Sequence, residues 1–327
     1  MIPTGELNVV STLNREVFQS MWNGELVRAI SQRVKPVKLL ATETREDLLK
    51  ELLSADVILA GPLDKELLAA APGCQLIHTF TGGVESLLFP ELRKSSVRVA
   101  CMKGCYDITA AEHGLAMMLT ITRRLYYDLG QRATRQFDDY QIEKQSELRG
   151  KTLGIVGLGG IGNSLATRAQ CLGMKVVGMV RDSQKSYIGI DQVFRPGQLK
   201  ALLQVSDFVA ICVPLTAETR GMIKAEELRE MKSEAYLIDV SGRVDLYHLP
   251  SLETALKDGW IAGAFMQFGI PPPENSPLGE FENFLYSYHR TTSRENYAYC
   301  IDRICENLAR LIDGQPLLGE VDKLKGY

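Results

Sequence analysis

The sequence predicts an α/β protein made of two doubly wound parallel sheets. Short runs rich in Val, Ile and Leu alternate with amphipathic stretches of helical period, and the runs are apolar at every position rather than at every second one. Such strands are buried on both faces, as in a parallel sheet covered by helices. The alternation restarts near residue 150, and 327 residues suffice for two domains.

The first sheet has five predicted strands with helices between them. They are Leu7–Val10, Val37–Leu40, Val57–Leu59, Leu76–Thr79 and Val97–Ala100. The last predicted helix of the chain, Glu295–Ile312, follows the second sheet and has no strand of its own to cover there. We therefore expect it to return to the first domain, which we assign to residues 1–105 and 294–327.

The second sheet has six predicted strands. They are Leu153–Val156, Val176–Val180, Phe208–Cys212, Tyr236–Ile238, Ile261–Phe265 and Phe284–Ser287. A long helix pattern, Ala110–Asp128, lies between the two sheets and is expected to bridge the domains. We assign residues 106–293 to the second domain.

Composition and charge exclude several classes of partner. The net charge of -3 offers no basic face for nucleic acid or an anionic membrane. The N-terminus lacks the basic and apolar regions of a secretory signal, and no apolar run approaches the roughly 20 residues that span a bilayer. We therefore predict a cytoplasmic protein.

Seven dispersed cysteines, without histidines at metal-ligand spacing, indicate buried thiols and no metal site.

A glycine-rich segment carries the first functional prediction. Three glycines, Gly157, Gly159 and Gly162, follow an apolar strand directly and precede a helical run, with Gly160 and Ile161 between them. In a dinucleotide-binding turn the first glycine permits the tight bend, the second lets the backbone approach the diphosphate, and the third lets helix and strand pack. The second domain is therefore predicted to be a Rossmann domain.

The residue after the next strand bears on the choice of cofactor. An NAD site usually has Asp or Glu at this strand end, to accept hydrogen bonds from the ribose hydroxyls. Here the strand is followed by Arg181, whose guanidinium suits a 2′-phosphate. NADP(H) is therefore favoured over NAD(H). NAD(H) stays open as an alternative, because the carboxylate of Asp182 could turn back to the ribose.

Several motifs together resemble the D-isomer-specific 2-hydroxyacid dehydrogenase family over nearly the whole chain. They are Thr81-Gly82-Gly83-Val84-Glu85, Ala111-Glu112-His113-Gly-Leu-Ala-Met-Met-Leu, Val213-Pro214-Leu215-Thr216-Ala-Glu-Thr219-Arg220-Gly221, and Asn283-Phe-Leu-Tyr-Ser-Tyr-His289. The resemblance implies a flavodoxin-like substrate domain preceding the Rossmann domain and a homodimer formed through the cofactor domains.

The resemblance also implies roles for individual residues. In the family a hydride passes between the nicotinamide and the carbon bearing the 2-oxo or 2-hydroxyl group, while a histidine moves the proton and an arginine holds the substrate carboxylate. His289 and Arg243 would fill these catalytic roles, and Thr81, Gly82 and Gly83 would grip the carboxylate. The implied cofactor contacts are Val213, Pro214, Thr219, Val240, Ser241 and Gln267. The other three histidines, His78, His113 and His248, are predicted to be structural, with a contact to the substrate left open for His78.

Two segments depart from the family pattern. The arginine segment usually reads Asn-x-x-Arg-Gly, yet this chain reads Asp239-Val-Ser-Gly242-Arg243, so a rigid alignment puts Gly242 in the arginine's place. We favour one inserted glycine, which returns Arg243 to that place. The usual Asp-Val-Phe-x-x-Glu-Pro run reads Gln267-Phe-Gly-Ile-Pro-Pro-Pro-Glu274, without a glutamate at the place that orients the histidine. Glu274, two residues later, is the remaining candidate for that role, although the prolines before it hold the chain extended.

These observations predict an NADP(H)-preferring reductase of a 2-oxo acid to a D-2-hydroxy acid, or of a related small carbonyl compound. The missing glutamate keeps a second hypothesis open, a cofactor-binding sensor or scaffold with little turnover. A specialised biosynthetic dehydrogenase with an unusual substrate is a third possibility, which the sequence does not separate from the first.

Overall fold

The chain folds into two compact units, composed of residues 1–106 with 293–327 and of residues 107–292. The computed structural model describes residues 6–22, 24–34, 36–134, 145–181, 187, 189–268, 277–288 and 293–327. Both sheets are parallel throughout, which confirms the predicted fold class.

The first unit is built from five strands and six helices among its described residues. In chain order they are β1 (Leu7–Ser11), α1 (Arg15–Trp22), α2 (Glu25–Arg33), β2 (Val37–Ala41), α3 (Arg45–Leu52), β3 (Val57–Ala60), α4 (Lys65–Ala69), β4 (Leu76–Thr79), α5 (Pro90–Lys94), β5 (Arg98–Ala100) and, at the end of the chain, α12 (Arg294–Ile312).

The first sheet has the strand order β2-β1-β3-β4-β5, which is the flavodoxin-like doubly wound order. Its central strand β3 is buried at all four positions, because helices cover both faces. On one face α12 packs with α1 and α2, so residues such as Ile304 and Leu308 share a core with Trp22 and Leu26. α12 starts sharply, since Ser293 and Asn296 form a capping box.

The second unit begins with two helices and continues with a seven-stranded sheet. Its elements are α6 (Asp107–Thr122), α7 (Leu125–Thr134), β6 (Thr152–Val156), α8 (Gly160–Cys171), β7 (Lys175–Met179), β8 (Gln192–Phe194), α9 (Leu199–Val205), β9 (Phe208–Ile211), α10 (Ala225–Glu230), β10 (Tyr236–Asp239), α11 (Leu249–Lys257), β11 (Gly263–Phe268) and β12 (Phe284–Tyr288).

The second sheet has the strand order β12-β11-β10-β9-β6-β7-β8. If β6 to β11 are renumbered 1 to 6 along the chain, their order in the sheet is 3-2-1-4-5-6, which is the Rossmann order. The direction in which strands are added reverses between β6 and β9. In open parallel sheets ligands bind beyond the carboxyl ends of the strands at such a reversal. The predicted glycine turn follows β6 and therefore lies at this point.

Two details of the second unit differ from the predicted elements. The predicted helix Ala110–Asp128 is two helices, α6 and α7, because Arg124 between them adopts a positive φ of 52° that interrupts the helical hydrogen bonds. The short strand β8 was not predicted, since two of its three residues are exposed and no apolar run marks it.

Candidate active site

The glycine turn joins β6 to α8, in the place that the sequence predicts for it. Gly157 has a φ of +103°, which favours glycine. A Cβ at this position would lie 2.8 Å from Val213 Cγ1 and 3.0 Å from the Cys212 carbonyl oxygen. The loop after β9 thus packs directly on the turn, and the structure brings Gly157 and Val213 together.

The next three glycines differ in what surrounds them. A Cβ at Gly162 would collide with the carbonyl oxygen of Gly157, and one at Gly160 with the carboxylate of Asp107, whereas Gly159 has no atom within 4 Å of its Cβ position. The open side at Gly159 adjoins the N-terminus of α8, whose first N–H groups have no partner within the helix. These residues fit the diphosphate of a dinucleotide, which favours a helix N-terminus.

Asn163 is a site residue that the sequence analysis missed. Its side-chain Nδ2 donates hydrogen bonds to the carbonyl oxygens of Leu158 (2.9 Å) and Gly159 (2.8 Å). The side chain therefore ties the first turn of α8 back to the glycine loop. An asparagine one residue after the last glycine was the available signal, but asparagine is too common near turns to be informative alone.

The loop after β9 is held by its own hydroxyl groups. Thr219 is buried, donates through Oγ1 to the Pro214 carbonyl oxygen (2.7 Å) and accepts from the Thr216 N–H (2.8 Å). Thr219 is therefore engaged in shaping the loop that carries Val213 and Pro214.

Arg181 lies two residues after the end of β7, and its side chain is 49% exposed. Its Nη1 is 4.0 Å from Oε2 of Glu218, a residue of the loop after β9. Asp182, the residue that left NAD open, lies outside the described residues.

The arginine segment forms a tight loop at the carboxyl end of β10. Val240 is buried, Ser241, Gly242 and Arg243 are partly exposed, and Gly242 has a φ of +68°. The amide nitrogen of Gln267 on the adjacent β11 lies 3.9 Å from the Cβ position of Gly242. The structure thus places Gln267 beside the loop that carries Arg243.

Asp239 and Tyr247 are two further residues of this loop that the sequence analysis did not assign a role. The Asp239 side chain is buried and accepts hydrogen bonds from the loop backbone and from the Tyr247 hydroxyl. The sequence shows only an acidic residue that ends an apolar strand, with Ser241 and Gly242 two and three positions later, and this does not reveal its hydrogen-bond partners.

The predicted catalytic His289 lies outside the described residues, as does Glu274. Two residues before it, Ser287 on β12 is hydrogen-bonded through Oγ to Nε2 of His113, at 2.7 Å. The His113 ring also packs edge-on against Phe265, and burial lowers its pKa. His113 therefore braces the strand that leads to His289.

In the first unit the predicted carboxylate-binding loop follows β4. The Thr79 hydroxyl donates to the Thr81 carbonyl oxygen (2.8 Å), and the Thr81 hydroxyl donates to that of Gly83 (2.6 Å). The backbone N–H groups of Gly82 and Gly83 donate to no residue in the described part of the chain. This loop could bind a carboxylate through those two groups.

His78, on β4, holds the same loop through hydrogen bonds of its ring. Its side chain is buried, Nδ1 donates to the Thr79 carbonyl oxygen (2.9 Å), and Nε2 accepts from Nδ2 of Asn307 on α12 (3.0 Å). The Asn307 amide is oriented because its oxygen accepts the Leu318 N–H. Burial lowers the pKa of His78 from 6.5 to about 4, so the ring is neutral in the folded protein near pH 7.

We expect His78 to make the folded protein sensitive to acid. Between pH 6.5 and about 4 the unfolded chain binds a proton at His78 that the folded chain does not, so the free energy of unfolding falls as the pH falls through this window. The expected contribution is up to about 3 kcal/mol. Urea unfolding at pH 7.0 and pH 5.0 measures it: His78→Gln should be less stable at pH 7.0, yet lose less stability than the parent on acidification. An equal loss in both proteins would contradict the prediction.

His248 is exposed and is hydrogen-bonded to Ser251 (2.7 Å). All seven cysteines are free thiols. Within the described ranges, no cluster of His, Cys, Asp or Glu could hold a metal ion, and no helix has the length and apolar character needed to cross a membrane.

Comparison with known proteins identifies the family. Residues 115–291 match the family described as D-isomer specific 2-hydroxyacid dehydrogenase, NAD binding domain. The glyoxylate reductase of Thermofilum pendens is 34% identical over 256 residues, covering 75% of each chain, and that of Korarchaeum cryptofilum is 32% identical over 278 residues, covering 79% of each.

A solved structure agrees with this assignment. The structure of a D-isomer specific 2-hydroxyacid dehydrogenase family protein from Aeromonas salmonicida superposes with a TM-score of 0.84 at 26% identity, covering 98% of this chain and all of that one. The chain is therefore an NAD(P)-dependent oxidoreductase, and it belongs to the D-isomer specific 2-hydroxyacid dehydrogenase family.

Proposed function

We propose that this protein reduces a short 2-oxo acid, such as glyoxylate or hydroxypyruvate, to the 2-hydroxy acid, in the D configuration where the product is chiral, with NADP(H) preferred over NAD(H). The observation that carries the substrate class is the similarity to two glyoxylate reductases over at least three quarters of the chain. The remaining support comes from the loop that ends in Arg243 and from Arg181.

The proposed chemistry assigns each step to a residue of this chain. A bound nicotinamide would supply the hydride that adds to the 2-oxo carbon. Arg243 would hold the substrate carboxylate, because a planar guanidinium matches a carboxylate with two parallel hydrogen bonds. His289 would donate the proton that completes the hydroxyl group. The family resemblance predicts that the loop Thr81–Gly83 also binds the substrate carboxylate.

The cofactor preference rests on Arg181 and its neighbour Glu218. Their 4.0 Å contact joins side chains that are 49% and 79% exposed, and such pairs contribute only about 0–1 kcal/mol. A 2′-phosphate carries more charge than one carboxylate and could replace Glu218 beside the guanidinium.

Replacing Arg181 with alanine is expected to raise the KM for NADPH about tenfold and to leave the KM for NADH within about twofold, because only NADPH has the 2′-phosphate. Glu218→Gln is the matched partner variant. It should lower the KM for NADPH, since it removes a negative charge near the phosphate. Steady-state kinetics with both cofactors measure these effects, and an equal change for both cofactors in Arg181→Ala would refute the assignment.

The proposed function is tested by measuring the oxidation of NADPH and of NADH through the loss of their absorbance. The candidate substrates are glyoxylate, hydroxypyruvate, pyruvate, phenylpyruvate and branched 2-oxo acids. We expect turnover of at least one short 2-oxo acid, faster with NADPH. Tight NADPH binding without turnover of any of these compounds would favour the sensor or scaffold, or an unusual substrate.

The homodimer and the cytoplasmic location stay predictions. An apolar contact between copies is supported by two leucines on α7, Leu125 and Leu129, whose exposed fractions are 46% and 63%.

A further inference from the structure

Asp239, the last residue of β10, is a fully buried carboxylate with four hydrogen-bond donors around it. Its Oδ1 accepts from the Ser241 N–H (3.0 Å), the Ser241 hydroxyl (2.5 Å) and the Tyr247 hydroxyl (2.8 Å), and its Oδ2 accepts from the Gly242 N–H (3.0 Å). Burial raises the pKa of this carboxyl group, while hydrogen bonds from Ser241 and Tyr247 act in the opposite direction. The carboxylate is thus the centre of the loop that follows β10.

The hydrogen bonds continue from Asp239 to Arg243. The hydroxyl of Ser241 donates to Asp239 and accepts the N–H of Arg243 at 3.1 Å. Gly242, between them, has the positive φ that closes the turn. The backbone of Arg243, from which its side chain extends, is therefore positioned by two consecutive hydrogen bonds that begin at the Asp239 carboxylate.

This arrangement requires a carboxylate rather than a carboxamide. Donors approach both oxygens of Asp239, and a carboxylate is an acceptor at both. An asparagine would point its NH₂ group at one of these donors, and the buried mismatch would leave that donor without a partner. Asp239 stands where the pattern Asn-x-x-Arg-Gly has asparagine, and Arg243 stands one position later than the arginine of that pattern. The two departures are explained together if the carboxylate shapes a loop that presents the shifted arginine.

We propose that Asp239 is a positioning residue, which sets the conformation of the loop Ser241–Arg243 and so directs Arg243 to the substrate carboxylate. This rests on the proposed function, in which Arg243 binds that carboxylate. Tyr247 supports the same conformation through its hydroxyl, from beyond the 3₁₀ turn Val244–Leu246.

The experiment is a double-mutant cycle with Asp239→Asn, which preserves the shape of the side chain, and Arg243→Ala. In the otherwise unchanged protein, Asp239→Asn is expected to lower kcat/KM for the 2-oxo acid about tenfold or more and to raise the dissociation constant of oxamate, an unreactive 2-oxo acid analogue, by a similar factor. In the Arg243→Ala background, Asp239→Asn should change kcat/KM less than twofold, because a residue that acts through Arg243 has nothing further to lose.

Two further variants keep the result unambiguous. Tyr247→Phe removes one of the four donors and should lower kcat/KM in the same direction by about threefold. Asp207→Asn is the matched control, because Asp207 also accepts a backbone N–H, that of Thr152 (2.8 Å), but at the opposite end of the sheet. It should lower stability without changing the affinity for oxamate.

The outcomes separate this inference from the proposed function. An inactive parent protein, or an Arg243→Ala variant as active as the parent, would refute the proposed function or the role of Arg243 in it. An active parent that needs Arg243, with Asp239→Asn unchanged or with full additivity of the two substitutions, would refute only the role of Asp239.

Discussion

Arg243→Ala is expected to lower kcat/KM for the 2-oxo acid by roughly two to three orders of magnitude. Removing one member of a hydrogen-bonded charge pair costs about 2–5 kcal/mol, and every 1.4 kcal/mol corresponds to a factor of ten. Arg243 is partly buried at the carboxyl end of β10, where ligands of a parallel sheet bind. Steady-state kinetics with the best substrate of the panel measure the effect.

The matched control is Arg220→Ala. Arg220 is also an arginine of the second unit, but it is 60% exposed and forms an ion pair with Asp245. We expect its replacement to change kcat/KM by less than about threefold. Arg243→Lys should retain part of the activity, since an ammonium keeps the charge but loses the two-pronged geometry. If Arg243→Ala is as active as Arg220→Ala, Arg243 is not the clamp, and the rigid alignment with Gly242 in the arginine's place regains support.

The sequence predicted the parallel sheets well because their strands are buried on both faces. Strands such as β3 and β9, which are apolar and buried at every position, stand out from the flanking helices without any tertiary information. β8 does not, because two of its three residues are exposed. The break at Arg124 was also missed, since the apolar pattern runs through it and a positive φ at arginine has no sequence signature.

The glycine turn was predictable from its local spacing, because Gly157 and Gly162 lie where a Cβ would collide with neighbouring atoms and Gly159 leaves an open side at the helix N-terminus. The role of Asp239 was not predictable, because it depends on Ser241, Gly242 and Tyr247 converging on one carboxylate. The bond between His113 and Ser287 joins residues 174 positions apart, and no local pattern predicts such a contact.

The two glycines Gly159 and Gly162 should separate cofactor binding from folding. At Gly159 the backbone is extended, with φ −82° and ψ −157°, and a Cβ would meet no atom of the described chain within 4 Å. Gly159→Ala should therefore change the free energy of unfolding by less than about 0.5 kcal/mol. It should still raise the dissociation constant of NADPH about tenfold or more, because the methyl group would occupy the side from which the diphosphate approaches.

Gly162→Ala should fail in a different way. Its Cβ would collide with the Gly157 carbonyl oxygen, a backbone atom that cannot withdraw without opening the turn. We expect a loss of about 1–3 kcal/mol of stability together with the loss of NADPH binding. Urea unfolding and fluorescence titration with NADPH measure the two quantities. Gly197→Ala is the control, because Gly197 lies in the same unit and has open space at its Cβ position. Should Gly159→Ala bind NADPH as tightly as Gly197→Ala does, the diphosphate does not lie on this turn.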